Sequence, residues 1–321
     1  MAFHPPAATP PGLWRRVPPA IFPAIMGLFG LGLAWRRAGA AFGLTDAPGE
    51  AILGAATLLF LFAAMAYAVK LMRRPKVLIE DLRILPGRAG VAAAVLSVYL
   101  VSLAVLPYSP DLARGFLYVG LALHVLLVAV VIAVFATGPA AQRRVTPVWH
   151  LTFTGFIIAA LAAAGLQSWG LALILFGLTA LMAAFIWAVS LEQFVREDVP
   201  PPLRPLLAIH LAPVALIGLV AASMEFDAVA MGCGGVAALM LVWMLARAFW
   251  LTEAGFSALW GAFTFPLAAA AALWLTLGGL WLWPGLAALV FATLIIPPIV
   301  WQVLRSWARG QLAIKTNAAT A

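Results

Sequence analysis

The sequence predicts an all-α polytopic membrane protein, with ten transmembrane helices arranged as five helical hairpins around a central pore. Three observations predict it. The 321 residues are 65% hydrophobic and only 9% charged, with a mean hydropathy of +1.08, too few charges to clothe a soluble surface. Apolar runs of the length needed to cross a hydrocarbon core of about 30 Å recur from Ile21 to Leu304 with almost no charge inside them. Prolines then mark every second run, which separates the runs into two kinds.

The runs read as spans at 18–37, 49–71, 84–106, 112–135, 146–166, 168–193, 204–223, 226–249, 257–278 and 281–305. They are too long and continuous for barrel strands, so each must satisfy its backbone within a helix. Short loops make neighbours antiparallel hairpins. Residues 1–17 and 306–321 remain as tails around a membrane domain of 18–305, leaving no room for a sizeable soluble domain. The first run follows Arg15 and Arg16 like a secretory leader, but Arg36 and Arg37 interrupt before any clean cleavage site. It is therefore read as the first transmembrane helix.

Charge placement sets the orientation. With the N-terminus in the cytoplasm, all but Arg36, Arg37 and Arg114 of the 19 basic residues fall on the cytoplasmic side. Acidic residues divide almost evenly. That is the positive-inside bias for an even number of spans with both termini cytoplasmic, and it explains the sequence pI of 10.6 without nucleic acid. The single Cys233 excludes an internal disulfide and a paired-cysteine metal site. No catalytic constellation, metal site or cofactor is expected, and the chain is not read as an enzyme.

Proline concentrates in the odd spans: Pro18, Pro19 and Pro23 in the first, Pro107 at the far end of the third, Pro147 in the fifth, Pro205 and Pro213 in the seventh, and Pro266 in the ninth. Even spans are smoother, apart from Pro297 and Pro298 in the tenth. Proline removes an amide donor and bends a helix, and the freed carbonyls must face protein or water rather than lipid. The odd spans are therefore expected to line a central path inside a ring of even spans; the third fits this least well. In the first span, Phe22-Pro23-Ala24-Ile25-Met26-Gly27 leads into Gly30 and Gly32, small residues that also serve close helix packing. The fifth opens Thr146-Pro147-Val148-Trp149-His150 and continues to Thr152 and Thr154. The seventh contains His210-Leu211-Ala212-Pro213, and the ninth reads Trp260-Gly261-Ala262-Phe263-Thr264-Phe265-Pro266-Leu267. The hydroxyls of Thr152, Thr154 and Thr264 can refill hydrogen bonds that proline removes.

These segments resemble the family of the tellurite-resistance protein TehA and the plant slow anion channel SLAC1. The resemblance runs from Phe22 into the tenth span and is carried by Phe22 through Trp35, Leu211-Ala212-Pro213, and Trp260 through Leu267. It implies five hairpins with odd helices lining a pore, a homotrimer with one pore per protomer, and small inorganic or organic anions as the permeant partners in a lipid bilayer, taken as the bacterial inner membrane. It also implies a gating phenylalanine in the ninth helix. Thr264-Phe265-Pro266 matches that stretch, which makes Phe265 the gate candidate, with Phe22, Pro23, Met26 and Gly27 beside it. Pro147, His150, His210, Pro213, Thr264 and Pro266 complete the pore-lining candidates. Plant relatives are controlled through long phosphorylated tails; with tails of 1–17 and 306–321 that control is not expected here.

No Lys or Arg lies in the middle of an odd span. Intramembrane charge usually marks a coupling site, so its absence favours a passive conduit over a driven pump, with selection by dehydration cost. His124, His150 and His210 lie within spans. Facing histidines can ligate haem, but no repeated spacing supports such a pair. A protonatable His150 or His210 near the path would instead suit a carrier exporting or importing sulfite, tellurite or C4-dicarboxylates, the alternative function.

Overall fold

The computed structural model describes residues 12–321, which are helical with no strand among them. Residues 1–11 of the expected 1–17 tail lie outside that range. Among the described residues nine helices are long and apolar enough to cross a membrane. The exception is the fifth expected span, 146–166, which holds only the shorter apolar helix His150–Gly165. At 1.5 Å per residue it falls short of a bilayer core. Burial in protein rather than lipid is what permits its non-α first turn.

Helices are numbered α1 (Phe22–Phe42), α2 (Ala47–Arg73), α3 (Val77–Arg83), α4 (Leu85–Val105), α5 (Pro110–Thr137), α6 (Phe156–Gly165), α7 (Trp169–Arg196), α8 (Leu211–Ser223), α9 (Asp227–Ala246), α10 (Ala248–Leu251), α11 (Thr264–Leu277), α12 (Leu282–Ala308) and α13 (Gln311–Lys315). The short α3 and α13 lie outside the expected spans, and α10 straddles the end of the eighth, 226–249. Local chemistry sets several ends. Ser109 accepts from the Leu112 amide at 3.3 Å to cap α5. Gly43 closes α1 at φ 65°, a left-handed C-terminal cap that glycine adopts without strain.

The odd spans do not start as α-helices, apart from the third. Pro19–Ile21, Pro201–His210 and Ala258–Phe263 are 3₁₀ turns leading into α1, α8 and α11. His150–Thr154 is a π-helical turn leading into α6. Even spans run unbroken for 20 to 28 residues. Although Pro297 and Pro298 sit inside α12, that helix continues through them.

Packing follows the same division. α1 touches α4, α4 touches α6, α6 touches α8, α8 touches α11, and α11 returns to α1. These five helices close a ring. Each outer helix pairs with the inner helix before it and also leans on the next: α2 on α4, α5 on α6, α7 on α8, α9 on α11, and α12 on α1. Burial matches, since 72–78% of the apolar window is buried in the four long inner spans and 17–39% in the outer ones. Leu58, Leu126, Leu181, Leu239 and Leu294 on the outer helices are more than half exposed, as side chains facing lipid should be.

The segment around Arg15 and the C-terminal residues meet at one end of the ring. The Ala321 amide donates to the Arg15 carbonyl at 2.9 Å. Beneath it lies a fully buried ion pair, in which Lys70 Nζ donates to Asp81 Oδ2 at 2.7 Å and to the Val17 carbonyl at 3.0 Å. Asp81 also accepts from the Tyr67 hydroxyl at 2.9 Å and from the Ala319 amide at 2.9 Å. One carboxylate thus ties α2, α3, the start of the first span and the C-terminal segment together.

Candidate functional site

Within the inner ring lie two cavities, each lined by all five odd spans. The one nearer the termini has a volume of about 60 Å³ and the other about 50 Å³. Each has room for water, since one molecule needs roughly 10–15 Å³. Along α1 and the turn before it, Ala20, Pro23 and Met26 line the first cavity, and Gly30, Leu33 and Arg37 line the second. Along the seventh span Ile209 and Ala212 give way to Leu216 and Leu219. These positions are three and four residues apart, the spacing that keeps a helix face turned to one axis.

Phe265 alone lines both cavities. The residue is 6% exposed and, bordering both, lies between them. Gly30 of α1 makes the space: a Cβ there would meet the Phe265 ring at 2.9 Å. The chain before Phe265 is fixed by Thr264, whose hydroxyl donates to the Gly261 carbonyl at 2.7 Å and to the Pro23 carbonyl at 3.3 Å. A Cβ on Gly27 would overlap that threonine side chain. Pro266 falls in the first turn of α11, where an amide has no helical acceptor in any case. The 3₁₀-to-α junction is thereby held at no cost in helix hydrogen bonds.

The other candidates divide. Pro23, Met26 and Pro266 line the first cavity beside Phe265. Phe22 turns away, edge-on to Phe60 and Tyr67 of α2. Gly27 and Thr264 fill the α1–α11 contact, and neither they nor Pro147 and Pro213 line either cavity. His150 and His210 are also off the axis. His150 Nε2 lies 3.0 Å from His210 Nδ1, and its Nδ1 lies 3.2 Å from the Thr154 hydroxyl. The pair packs behind the inner ring against Trp187 of α7. The rings face each other after all, but in a direct hydrogen bond that leaves no room for haem between them. His124 is satisfied by the Tyr99 hydroxyl and the Thr152 carbonyl and stacks on Phe156. Thr154 and Thr264 refill backbone bonds as expected; the Thr152 hydroxyl has no partner.

Sequence reasoning missed Arg37. The first cavity has no charged residue in its lining, and Arg37 is the only one in the second. Its neighbour Arg36 is neutralised by Glu50 in a two-pronged pair at 2.7 and 2.9 Å and also binds the Leu103 and Ala104 carbonyls. Arg37 makes no hydrogen bond or ion pair among the described residues. Its charge is left to act on the outer chamber, where low-dielectric walls concentrate the field.

A closed ring of five buried helices around axial cavities is an architecture suited to a membrane conduit. The family model SLAC1, described as voltage-dependent anion channel, matches residues 16–305. The chain belongs to that family: it is a helical membrane protein with a function of the anion-channel type. A search of curated proteins finds no match.

Proposed function

We propose that the chain is a passive anion channel whose gate is the side chain of Phe265. The observation that supports this reading is that Phe265 is the one residue shared by the linings of the two axial cavities. An aromatic ring across an apolar constriction closes a path by excluding water. Anions are selected by the cost of shedding water in these apolar chambers, aided by Arg37 at one end and by the basic terminus-bearing end. Large, weakly hydrated anions then permeate better than chloride. Counting His150–Gly165 as the fifth crossing gives ten spans, and the basic bias puts both termini in the cytoplasm of a bacterial inner membrane. We further propose the homotrimer of the family, with one path in each protomer.

The test is macroscopic or single-channel current from purified protein in planar bilayers, wild type beside Phe265→Ala. A silent or weakly conducting wild type with a conducting variant is the expected result, together with a reversal potential that ranks nitrate above chloride. Equal current in both proteins removes Phe265 as the gate. Silence in both, with folding verified, favours a carrier of sulfite, tellurite or C4-dicarboxylates, measured as saturable flux.

A further inference from the structure

A second, chemically different cavity opens at the terminus-bearing end, between α12, α13 and the start of the ninth span. Its volume is about 230 Å³. Arg305 in the last turn of α12 and Arg309, which caps that helix, line it together with Lys315 of α13. The hydroxyls of Ser257 and Ser306 and the amides of Gln302 and Gln311 complete its polar wall. No carboxylate is among the lining residues. Many other cations at this end are spoken for: Lys70 by Asp81, Arg74 by Glu80, Arg144 by Glu197, and Arg204 by Asp198 and Glu253. The side chains of Arg305, Arg309 and Lys315 make no ion pair or hydrogen bond among the described residues.

Setting membrane orientation needs basic residues near span ends, but it does not need three of them to converge on one carboxylate-free cavity. Two guanidinium forks and an ammonium, backed by hydroxyl and amide donors, match the oxygens of a phosphate group. The surroundings place that phosphate at the membrane boundary. Trp301, one turn before Arg305, is 66% exposed, an amphipathic ring of the kind that favours the headgroup level, and the apolar ring of Phe256 on the opposite wall is 37% exposed.

We propose that this cavity binds a phosphate-bearing anion, either the headgroup of an anionic phospholipid or a free phosphate. Ala258 lines both this cavity and the first axial cavity, so the bound phosphate sits against the threshold of the central path. It holds the C-terminal α13 to the turn that leads into α11. The site rests on its own residues and stands whether or not Phe265 is a gate.

The experiment is native mass spectrometry of the purified full chain in detergent, titrated with phosphatidylglycerol or phosphatidylcholine. Wild type is compared with the triple variant Arg305→Gln, Arg309→Gln, Lys315→Gln. A charge-matched control carries Arg16→Gln, Lys76→Gln and Arg83→Gln, all exposed positions at the same end. Each cation near an anionic headgroup contributes roughly fivefold in affinity, so the triple variant should lose about a hundredfold for phosphatidylglycerol. The control should stay close to wild type, and phosphatidylcholine should bind all three equally weakly. Added inorganic phosphate separates the sources: displacement of the lipid assigns the site to phosphate as such, and retention of the lipid assigns it to the headgroup with its glycerol. Equal losses in the triple variant and the control, or no preference for phosphatidylglycerol over phosphatidylcholine in wild type, overturn the proposal. Should the triple variant misfold, Arg309→Gln alone is expected to cost about fivefold, and an unchanged affinity there overturns it equally.

Discussion

The inner and outer helices of this protein are built from nearly the same apolar alphabet, yet they obey different rules. Outer helices such as α2, α5 and α7 run unbroken for 27 or 28 residues and are mostly exposed. Lipid offers no hydrogen bonds, so their backbone must be self-sufficient along its whole length. Four of the five inner spans begin in 3₁₀ or π turns. Their irregular backbone is tolerated because protein surrounds it, and hydroxyls such as those of Thr154 and Thr264 supply the missing bonds. Irregular backbone is concentrated at the starts of the inner spans, although a 3₁₀ turn at Gly279–Trp281 also leads into the outer α12. At the inner starts, side chains such as Phe265 can be set at an angle that a continuous helix would not give.

The comparison is broken most directly by replacing Phe265 with Ala. If the inner ring is a conduit, removing its one shared ring joins the two cavities. A barrier lowered by only about 1.4 kcal/mol raises flux about tenfold, so a rise in current of at least that size at equal surface density is expected. A Leu at an outer position, such as Leu181→Ala in α7, should leave current unchanged. Similar currents from the two variants would erase the functional distinction between inner and outer helices.

A second test addresses how the inner ring is anchored. Asp81 and Lys70 are both fully buried, and truncating one partner of a buried pair strands the other. Asp81→Ala should lower stability by about 3–5 kcal/mol, read as thermal unfolding in detergent. Because Asp81 also holds the Ala319 amide, the C-terminal segment should become open to limited proteolysis. A destabilised protein with a protected C-terminus would show that the segment is held by apolar burial of Leu312 and Ala313 instead.

A third test uses glycine. Gly27 in α1 has no room for a Cβ, since Thr264 occupies it, whereas Gly54 in α2 has open space. Gly27→Ala should destabilise by about 1–3 kcal/mol through overpacking. Gly54→Ala should be neutral or stabilise by up to about 1 kcal/mol, the gain in helix propensity. Equal effects at the two positions would mean that the inner ring is not the tighter of the two layers in solution.

The two classes of helix were legible in the sequence for a physical reason: a lipid-facing helix advertises itself by unbroken hydrophobicity, and a shielded one by tolerating proline. Phe265, Pro23, Met26 and Pro266 were paired through the family resemblance of their segments rather than by any pattern in the residues themselves. The face of each inner helix was not. Positions 23, 26, 30, 33 and 37 repeat at three and four residues, but α1 is apolar on nearly every side and so gives no contrast between faces. Phe22, drawn in by the same resemblance, packs on Phe60 and Tyr67 instead, and Gly27, drawn in as a small residue, packs on Thr264. The fifth span looked full length because 146–166 carries no Asp, Glu, Lys or Arg, although its helix occupies only His150–Gly165. The His150–His210 bond joins residues 60 apart, and no local pattern encodes such a partner. Arg37 was counted only as a charge at the far end of the first span, 18–37, whereas α1 carries on past it to Phe42.

The smallest expected effect concerns those histidines. A pH-coupled carrier needs a titrating group in contact with its path, but His150 and His210 bond each other behind the inner ring and line neither cavity. His150→Gln keeps a polar side chain for His210 and should cost no more than about 1–2 kcal/mol of stability, one hydrogen bond imperfectly replaced. Flux through the Phe265→Ala background should then be unchanged by His150→Gln, and its dependence on pH between 6 and 8 should be flat with or without the substitution. A pH dependence that disappears with His150→Gln would couple the histidine pair to transport, and the helices behind the inner ring would join the functional part of the molecule.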